Sequence, residues 1–67
     1  MILRIEGEFI KLGQALKASR LADYGSDAKM VIQNGEVSVN GEVDVRRGRK
    51  LVRGDVVEYN GETLEIL

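Results

Sequence analysis

The chain has 67 residues, of which 31% are charged and 43% hydrophobic, and its formal net charge is −1. A domain of this size buries only about 60% of the surface that its unfolded chain exposes, so a deep enclosed active site is not expected. The chain contains no cysteine and no histidine. This composition excludes disulfides, thiolate nucleophiles, imidazole bases and the common zinc and copper sites, and it favours a binding protein without cofactor or metal over an enzyme.

The N-terminal stretch carries charges at Arg4, Glu6 and Glu8, where a signal peptide requires an uninterrupted apolar run. No later segment approaches the length of about 20 apolar residues that a membrane-spanning helix requires. We therefore expect one domain over residues 1–67, a cytoplasmic location, no membrane partner and a monomer.

The first third of the chain predicts a short strand followed by a helix. Ile2 and Ile5 indicate the strand, with Gly7 as the turn that follows it. From Ile10 onward, apolar residues recur at intervals of three and four, which is the spacing of an amphipathic helix. The inward positions of this helix are Leu12, Ala15 and Leu16, and its outward positions include Lys11, Lys17 and Arg20.

A second helix is predicted to begin near residue 26. Ser26 or Asp27 supplies a side-chain oxygen that caps the first turn. Gly35 ends the helix, because glycine adopts the left-handed conformation after a helix without steric cost. The inward residues are Ala28, Val31 and Ile32, and Lys29 points outward near the start.

The second half of the chain predicts hairpins. Valines alternate with polar residues on both sides of Asn40–Gly41, the dipeptide that most favours a type I′ turn. We expect all four valines, at positions 37, 39, 43 and 45, to face the core. Asn60–Gly61 predicts a second hairpin, whose last strand pairs with the first strand of the chain. The predicted fold is α+β, with two short helices packed on a small, mainly antiparallel sheet.

Five of the eight residues from Arg46 to Arg53 are basic. Guanidinium groups bind phosphate with two parallel hydrogen bonds and also stack on bases. In the immediate neighbourhood, only Asp44 and Asp55 oppose this charge. The cluster therefore indicates contact with nucleic acid, and the alternative is a solvated turn that keeps a sheet edge soluble.

Two weaker candidates lie outside this cluster. Basic residues on the helices could line a groove with it, although each one alone fits an ordinary solvated face. Tyr24 could stack on a base or pack at the rim of the core. The helical basic residues are Lys11, Lys17, Arg20 and Lys29.

Three segments carry a combined spacing that matches a known family. They are residues 9–17 (Phe-Ile-Lys-Leu-Gly-Gln-Ala-Leu-Lys), residues 28–41 (Ala-Lys-x-x-Ile-x-x-Gly-x-Val-x-Val-Asn-Gly) and residues 46–55 (Arg-Arg-Gly-Arg-Lys-Leu-x-x-Gly-Asp). Together they resemble the alpha-L RNA-binding motif, which is the ribosomal-protein-S4-like domain. The block that begins at Arg46 is similar to that of small bacterial proteins that consist of this domain alone.

The resemblance implies a non-catalytic protein that binds structured RNA, either ribosomal RNA or tRNA, through the two helices and the loop after the hairpin. Ribosomal particles are the implied larger partner. In one departure, Tyr24 and Gly25 stand where many members have serine, often followed by arginine. The alternative function is a protein-interaction or assembly module associated with the ribosome. The candidate RNA-binding residues are Lys17, Arg20, Tyr24, Lys29, Arg46, Arg47, Arg49 and Lys50.

Overall fold

The computed structural model describes residues 1–22 and 25–67, except for the side chains of residues 25 and 26. Within these ranges the chain forms two helices and seven strands. The helices are α1 (Leu12–Ala18) and α2 (Gly25–Gln33). The strands are β1 (Ile2–Leu3), β2 (Ile10–Lys11), β3 (Val37–Val39), β4 (Glu42–Val43), β5 (Lys50–Leu51), β6 (Val56–Tyr59) and β7 (Glu62–Ile66).

Helix α1 starts two residues later than the apolar spacing predicts. Leu12, Ala15 and Leu16 are fully buried, so the predicted inward face is confirmed. Ile10 and the residue after it instead form β2, which pairs with β5. A strand of two residues is too short to show a period, and Ile10 also fits the helical spacing, so the sequence pattern could not separate the two states.

Helix α2 ends as predicted. Gly35 has a φ of +79°, and its N–H donates to the carbonyl of Ile32. The next N–H, that of Glu36, donates to the carbonyl of Val31 at 3.0 Å. These bonds satisfy carbonyl groups that the end of a helix leaves without partners.

Five of the described strands form one sheet in the order β1–β7–β6–β3–β4, and β2 and β5 form a second, two-stranded sheet. The pairings are antiparallel except for β1 with β7, which is parallel. The predicted pairing of the last strand with the first is thereby confirmed. The core lies between the helices and the larger sheet, and β5 also contributes to it. Its fully buried large side chains are Leu12, Leu16, Ile32, Val37, Val39, Leu51, Val57, Leu64 and Ile66.

Both predicted Asn-Gly hairpins are present. Asn40 and Gly41 have φ angles of 52° and 86°, and Asn60 and Gly61 have φ angles of 55° and 79°. Positive φ at both central residues is the signature of the type I′ turn, whose twist matches that of the strands it joins.

The first hairpin nevertheless orients two of its four valines differently from the prediction. Its register places Ser38 opposite Val43, and residues that face each other across a ladder lie on the same side of the sheet. Ser38 alternates with the buried Val37 and Val39, so Val43 points outward. Val43 is 61% exposed and Val45 is 54% exposed, and it is Asp44, at 6%, that turns inward. The prediction that all four valines belong to the core is therefore wrong.

Candidate RNA-binding site

Asp44 organises the loop of residues 44–49, which joins β4 to β5 and is called the basic loop below. Its Oδ1 atom accepts hydrogen bonds from the backbone N–H of Arg46 at 2.9 Å and from the Nε of the same residue at 3.1 Å. Its Oδ2 atom accepts from Arg46 Nη2 and from Arg49 Nη1, each at 2.8 Å. One buried carboxylate thus binds the guanidinium groups of Arg46 and Arg49 and stabilises the turn of the chain that contains them.

These contacts set the ionisation of the group. Hydrogen bonds from the Arg46 side chain hold the pKa of Asp44 well below its ordinary value, because they outweigh the effect of burial, and Arg49 adds to them. The same pair raises the pKa of Arg46. Asp44 is therefore ionised throughout the neutral range, and the loop keeps its geometry there.

The backbone of the basic loop docks on the beginning of α1. The N–H of Leu12 donates to the carbonyl of Arg49 at 2.8 Å, and the N–H of Gly13 donates to the carbonyl of Arg47 at 3.0 Å. The first N–H groups of a helix have no partner within the helix, so the loop serves as their cap. These bonds fix the position of the loop relative to α1 through backbone atoms.

Gly13 lets the Arg47 side chain lie directly against α1. A Cβ atom at position 13 would lie 2.6 Å from Arg47 Cγ and 3.3 Å from Arg47 Cδ, which is too close for a non-bonded contact. Only glycine leaves room for the arginine in this conformation.

A cleft of about 340 Å³ opens between α1 and the loop. It brings together cations from segments that are 30 residues apart in the sequence, and none of the described residues that line it carries a carboxylate. The residues on its walls include Lys11, Gly13, Gln14, Lys17, Arg47 and Gly48.

Comparison with known proteins identifies the fold family. A model of the S4 domain matches residues 3–67. The chain belongs to the S4 domain family. The predicted resemblance is confirmed.

Two curated relatives and two solved structures resemble this S4-domain chain. It is 49% identical over 59 residues to the Bacillus subtilis (strain 168) protein named "Probable ribosome maturation protein RlbA", with 88% of this chain and 83% of the relative covered. It is 31% identical over 58 residues to YbcJ of Escherichia coli (strain K12), with 87% and 83% covered.

The solution structure of YbcJ, described as revealing an alpha-L motif involved in RNA binding, matches with a TM-score of 0.76 and 27% identity over 98% of this chain and 85% of that one. The crystal structure of ribosomal protein S4e from Thermoplasma acidophilum matches with a TM-score of 0.74 and 25% identity, covering 87% of this chain but only 31% of S4e. The fold class predicted from the sequence is therefore confirmed.

Within this S4 domain, the residues predicted to bind RNA fall into different environments. Lys17 and Arg47 line the cleft. Arg46 and Arg49 form ion pairs with Asp44, and their side chains are 71% and 29% exposed respectively. The Lys50 ammonium lies over the ring of Phe9, 4.7 Å from its centroid, in a cation–π contact.

Lys29 and Arg20 are not among the described residues that line the cleft. Lys29 is exposed on α2, directly after Ala28, which lines the cleft. Arg20 is exposed just beyond α1, with a φ of 62° that ends the helix. Tyr24 lies outside the described residues.

Arg53, the last basic residue of the cluster, has a structural role. Its Nη2 donates to the carbonyl of Ile5 at 2.8 Å and its Nη1 to that of Gly7 at 3.0 Å. This guanidinium group ties the segment after β1 to the rest of the domain.

Sequence reasoning did not assign a role to Gly13 or to Gln14, and it treated Asp44 only as a charge that opposes the arginines. The Oε1 atom of Gln14 accepts from the N–H of Lys11 at 3.3 Å and so supports the start of α1. Gly13 did leave a signal, because a glycine inside a helical pattern is unfavourable and usually has a packing reason. Among the described residues, no group of three or more acidic side chains could hold a metal ion, and no helix is long and apolar enough to cross a membrane.

Proposed function

We propose that this S4-domain chain is a non-catalytic RNA-binding protein that recognises structured RNA, ribosomal RNA or tRNA, by its shape and the placement of its phosphates. The names of its relatives support this proposal, since one is a probable ribosome maturation protein and the YbcJ structure is described in terms of RNA binding. Ribosomal particles in the cytoplasm are the setting that follows from it.

The observation that carries the proposal is the cleft between α1 and the basic loop. Lys11, Lys17 and Arg47 converge on it without a carboxylate among the described residues that line it. Lys29 and Lys50 extend the positive charge over the adjacent surface. Local charge of one sign steers a polyanion even when the net charge of the chain is near zero.

The proposal is tested by exchanging charge at the cleft. Lys17→Glu combined with Arg47→Glu should greatly weaken binding to purified ribosomal RNA and to bulk tRNA, measured by fluorescence anisotropy. Arg4→Glu in the wild-type background is the control, because it makes the same kind of change at an exposed position outside the cleft walls. Failure of the wild-type protein to bind either RNA would contradict the proposal.

The salt dependence of binding gives an independent test. An interface built on phosphate contacts releases counterions, so affinity should fall with salt with a log–log slope of roughly 0.7 to 0.9 per phosphate neutralised. A salt-independent interaction would contradict phosphate recognition.

A second candidate is a protein-interaction or assembly module associated with the ribosome. The outward face of the larger sheet favours it, because Ile2 and Val56 are exposed there beside Glu58 and Glu65. Nuclease treatment before affinity capture separates the two functions. Partners that persist after the RNA is removed support this second function, and partners that disappear support RNA binding.

A further inference from the structure

We propose that the cleft between α1 and the basic loop takes a phosphodiester group of the RNA backbone, and that Gly13 is the residue that positions Arg47 for this contact. The inference rests on the proposed RNA-binding function. It assigns separate tasks to residues that look alike in the sequence, and it gives an uncharged residue a part in RNA affinity.

The arginines of the loop differ in whether their guanidinium groups already have a hydrogen-bond partner within the protein. The guanidinium groups of Arg46 and Arg49 are engaged by Asp44, which uses up part of their hydrogen-bonding capacity. No side-chain hydrogen bond among the described residues involves the guanidinium of Arg47. Among the described residues, no side chain therefore competes with a ligand for the guanidinium donors of Arg47.

The chemistry of the cleft walls fits a phosphate better than a base. Arg47 supplies a planar fork that matches two phosphate oxygens, and Lys11 and Lys17 supply point charges. No aromatic ring is among the described residues that line the cleft, so these residues offer no platform on which an unpaired base could stack. Contacts to phosphate position a protein on RNA without reading its sequence.

Gly13 favours the contact between Arg47 and a phosphate because it has no side chain and leaves room for the arginine. An added methyl group would lie 2.6 Å from Arg47 Cγ, the second side-chain carbon, so the whole arginine side chain would have to leave α1. The hydrogen bond from the Gly13 N–H to the Arg47 carbonyl involves backbone atoms only and survives the substitution. Gly13→Ala thus moves the guanidinium while the loop itself remains docked.

Gly7 provides a matched control. It is exposed, a Cβ atom placed there has no neighbour within 4 Å, and its φ is outside the left-handed region. It is not among the described residues that line the cleft, so Gly7→Ala adds the same methyl group without touching the cleft or Arg47.

The experiment is a double-mutant cycle on the full chain. Affinity for a fluorescently labelled RNA hairpin with a randomised loop is measured for the wild type, Gly13→Ala, Arg47→Ala, the double variant and Gly7→Ala. We expect each of the first two substitutions to weaken binding by roughly tenfold, the loss of one charged hydrogen-bonded contact, and to lower the magnitude of the salt slope by about one phosphate. The double variant should bind no more weakly than Arg47→Ala, and Gly7→Ala should bind as the wild type does.

Three results would overturn the inference. Wild-type affinity in Gly13→Ala, with a clear loss in Arg47→Ala, would remove the role of Gly13. Wild-type affinity in both would remove the phosphate site while leaving the proposed RNA binding intact. Absence of binding by the wild type, with this hairpin, ribosomal RNA and tRNA alike, would remove both proposals. Amide chemical shifts of each variant verify that the fold is retained.

Discussion

The carboxylate of Asp44 and the guanidinium of Arg46 form a two-pronged ion pair, with Nε–Oδ1 at 3.1 Å and Nη2–Oδ2 at 2.8 Å. The carboxylate is buried and the guanidinium is largely exposed. Arg49 shares the same carboxylate. Two arginines of the basic cluster, Arg46 and Arg49, therefore stabilise the conformation of the loop through Asp44. Their charge is partly neutralised by this carboxylate.

Removing the charge of Asp44 should destabilise the fold. In Asp44→Asn the amide cannot accept all four hydrogen bonds that the carboxylate accepts, and two guanidinium groups lose their counter-ion. We expect a loss of about 2 kcal/mol in the free energy of unfolding, measured by urea denaturation. Glu42→Gln, at an exposed position of the same hairpin, is the control and should leave stability nearly unchanged. Equal effects of the two substitutions would contradict the structural role of Asp44.

The ion pair also predicts how stability depends on pH. The pKa of Asp44 is lower in the folded chain than its ordinary value of 3.8. A lowered carboxyl pKa stabilises the fold above the unfolded-state value, and this stabilisation is lost as the pH falls below it towards the folded-state value.

Thermal unfolding of the wild type should therefore show a fall in stability below about pH 4, to which Asp44 contributes. The pKa of Asp55 is lowered as well: burial opposes the shift, but hydrogen bonds from Asn40 and the Val52 N–H and the charge of Arg49 outweigh it. Asp55 therefore adds to the same decline. In Asp44→Asn the decline should be shallower, and an identical pH profile for the two proteins would refute the assignment.

The two Asn-Gly turns should respond differently to the same substitution. Asn40 Nδ2 donates to Asp55 Oδ1 at 3.0 Å, and its Oδ1 accepts from the Val56 N–H at 2.9 Å. Asn60 makes neither kind of contact among the described residues, although its φ is similar. Asn40→Gly should cost about 1 to 2 kcal/mol in the free energy of unfolding, whereas Asn60→Gly should change it by only a few tenths. Equal losses would show that the Asn40 bridge contributes nothing.

Substitutions of Arg53 and Arg47 should have opposite effects: the first should lower stability and the second should lower RNA affinity. Arg53→Ala removes two hydrogen bonds to the carbonyls of Ile5 and Gly7, so we expect a loss of about 1 kcal/mol in the free energy of unfolding and little change in RNA affinity. Arg47→Ala should show the reverse, with a loss of affinity and unchanged stability. Chemical denaturation and fluorescence anisotropy on both variants measure the contrast, and a loss of affinity in Arg53→Ala equal to that of Arg47→Ala would contradict it.

Local signals allowed much of this fold to be predicted. Helical spacing located Leu12, Leu16 and Ile32, and the Asn-Gly dipeptides located both turns. The orientation of Val43 could also have been derived, since a two-residue turn places position 44, and not 43, on the side of Val37. The prediction instead followed the preference of valine for the core. It also followed the rule that an aspartate is rarely buried unless it is paired.

The partners within the candidate site could not be predicted in the same way. The local charge composition identified the loop as a candidate site. It could not show that Arg46 and Arg49 share Asp44, because the sequence does not specify which carboxylate an arginine pairs with. Replacing all three loop arginines with glutamate, which the sequence alone suggests as a test that spares the fold, would place new carboxylates beside Asp44 and disrupt the loop. The approach of Arg47 to Gly13 joins residues 34 positions apart and depends on tertiary packing.

The short sheet formed by β2 and β5 places Lys11 directly opposite Lys50. Like charges that face each other across a ladder repel and lower the stability of the free protein. A polyanion that settles on this sheet removes the repulsion, and a ligand that binds only the folded state also stabilises that state by mass action. Under the proposed RNA-binding function, the two lysines therefore lower the stability of the free protein relative to that of the complex.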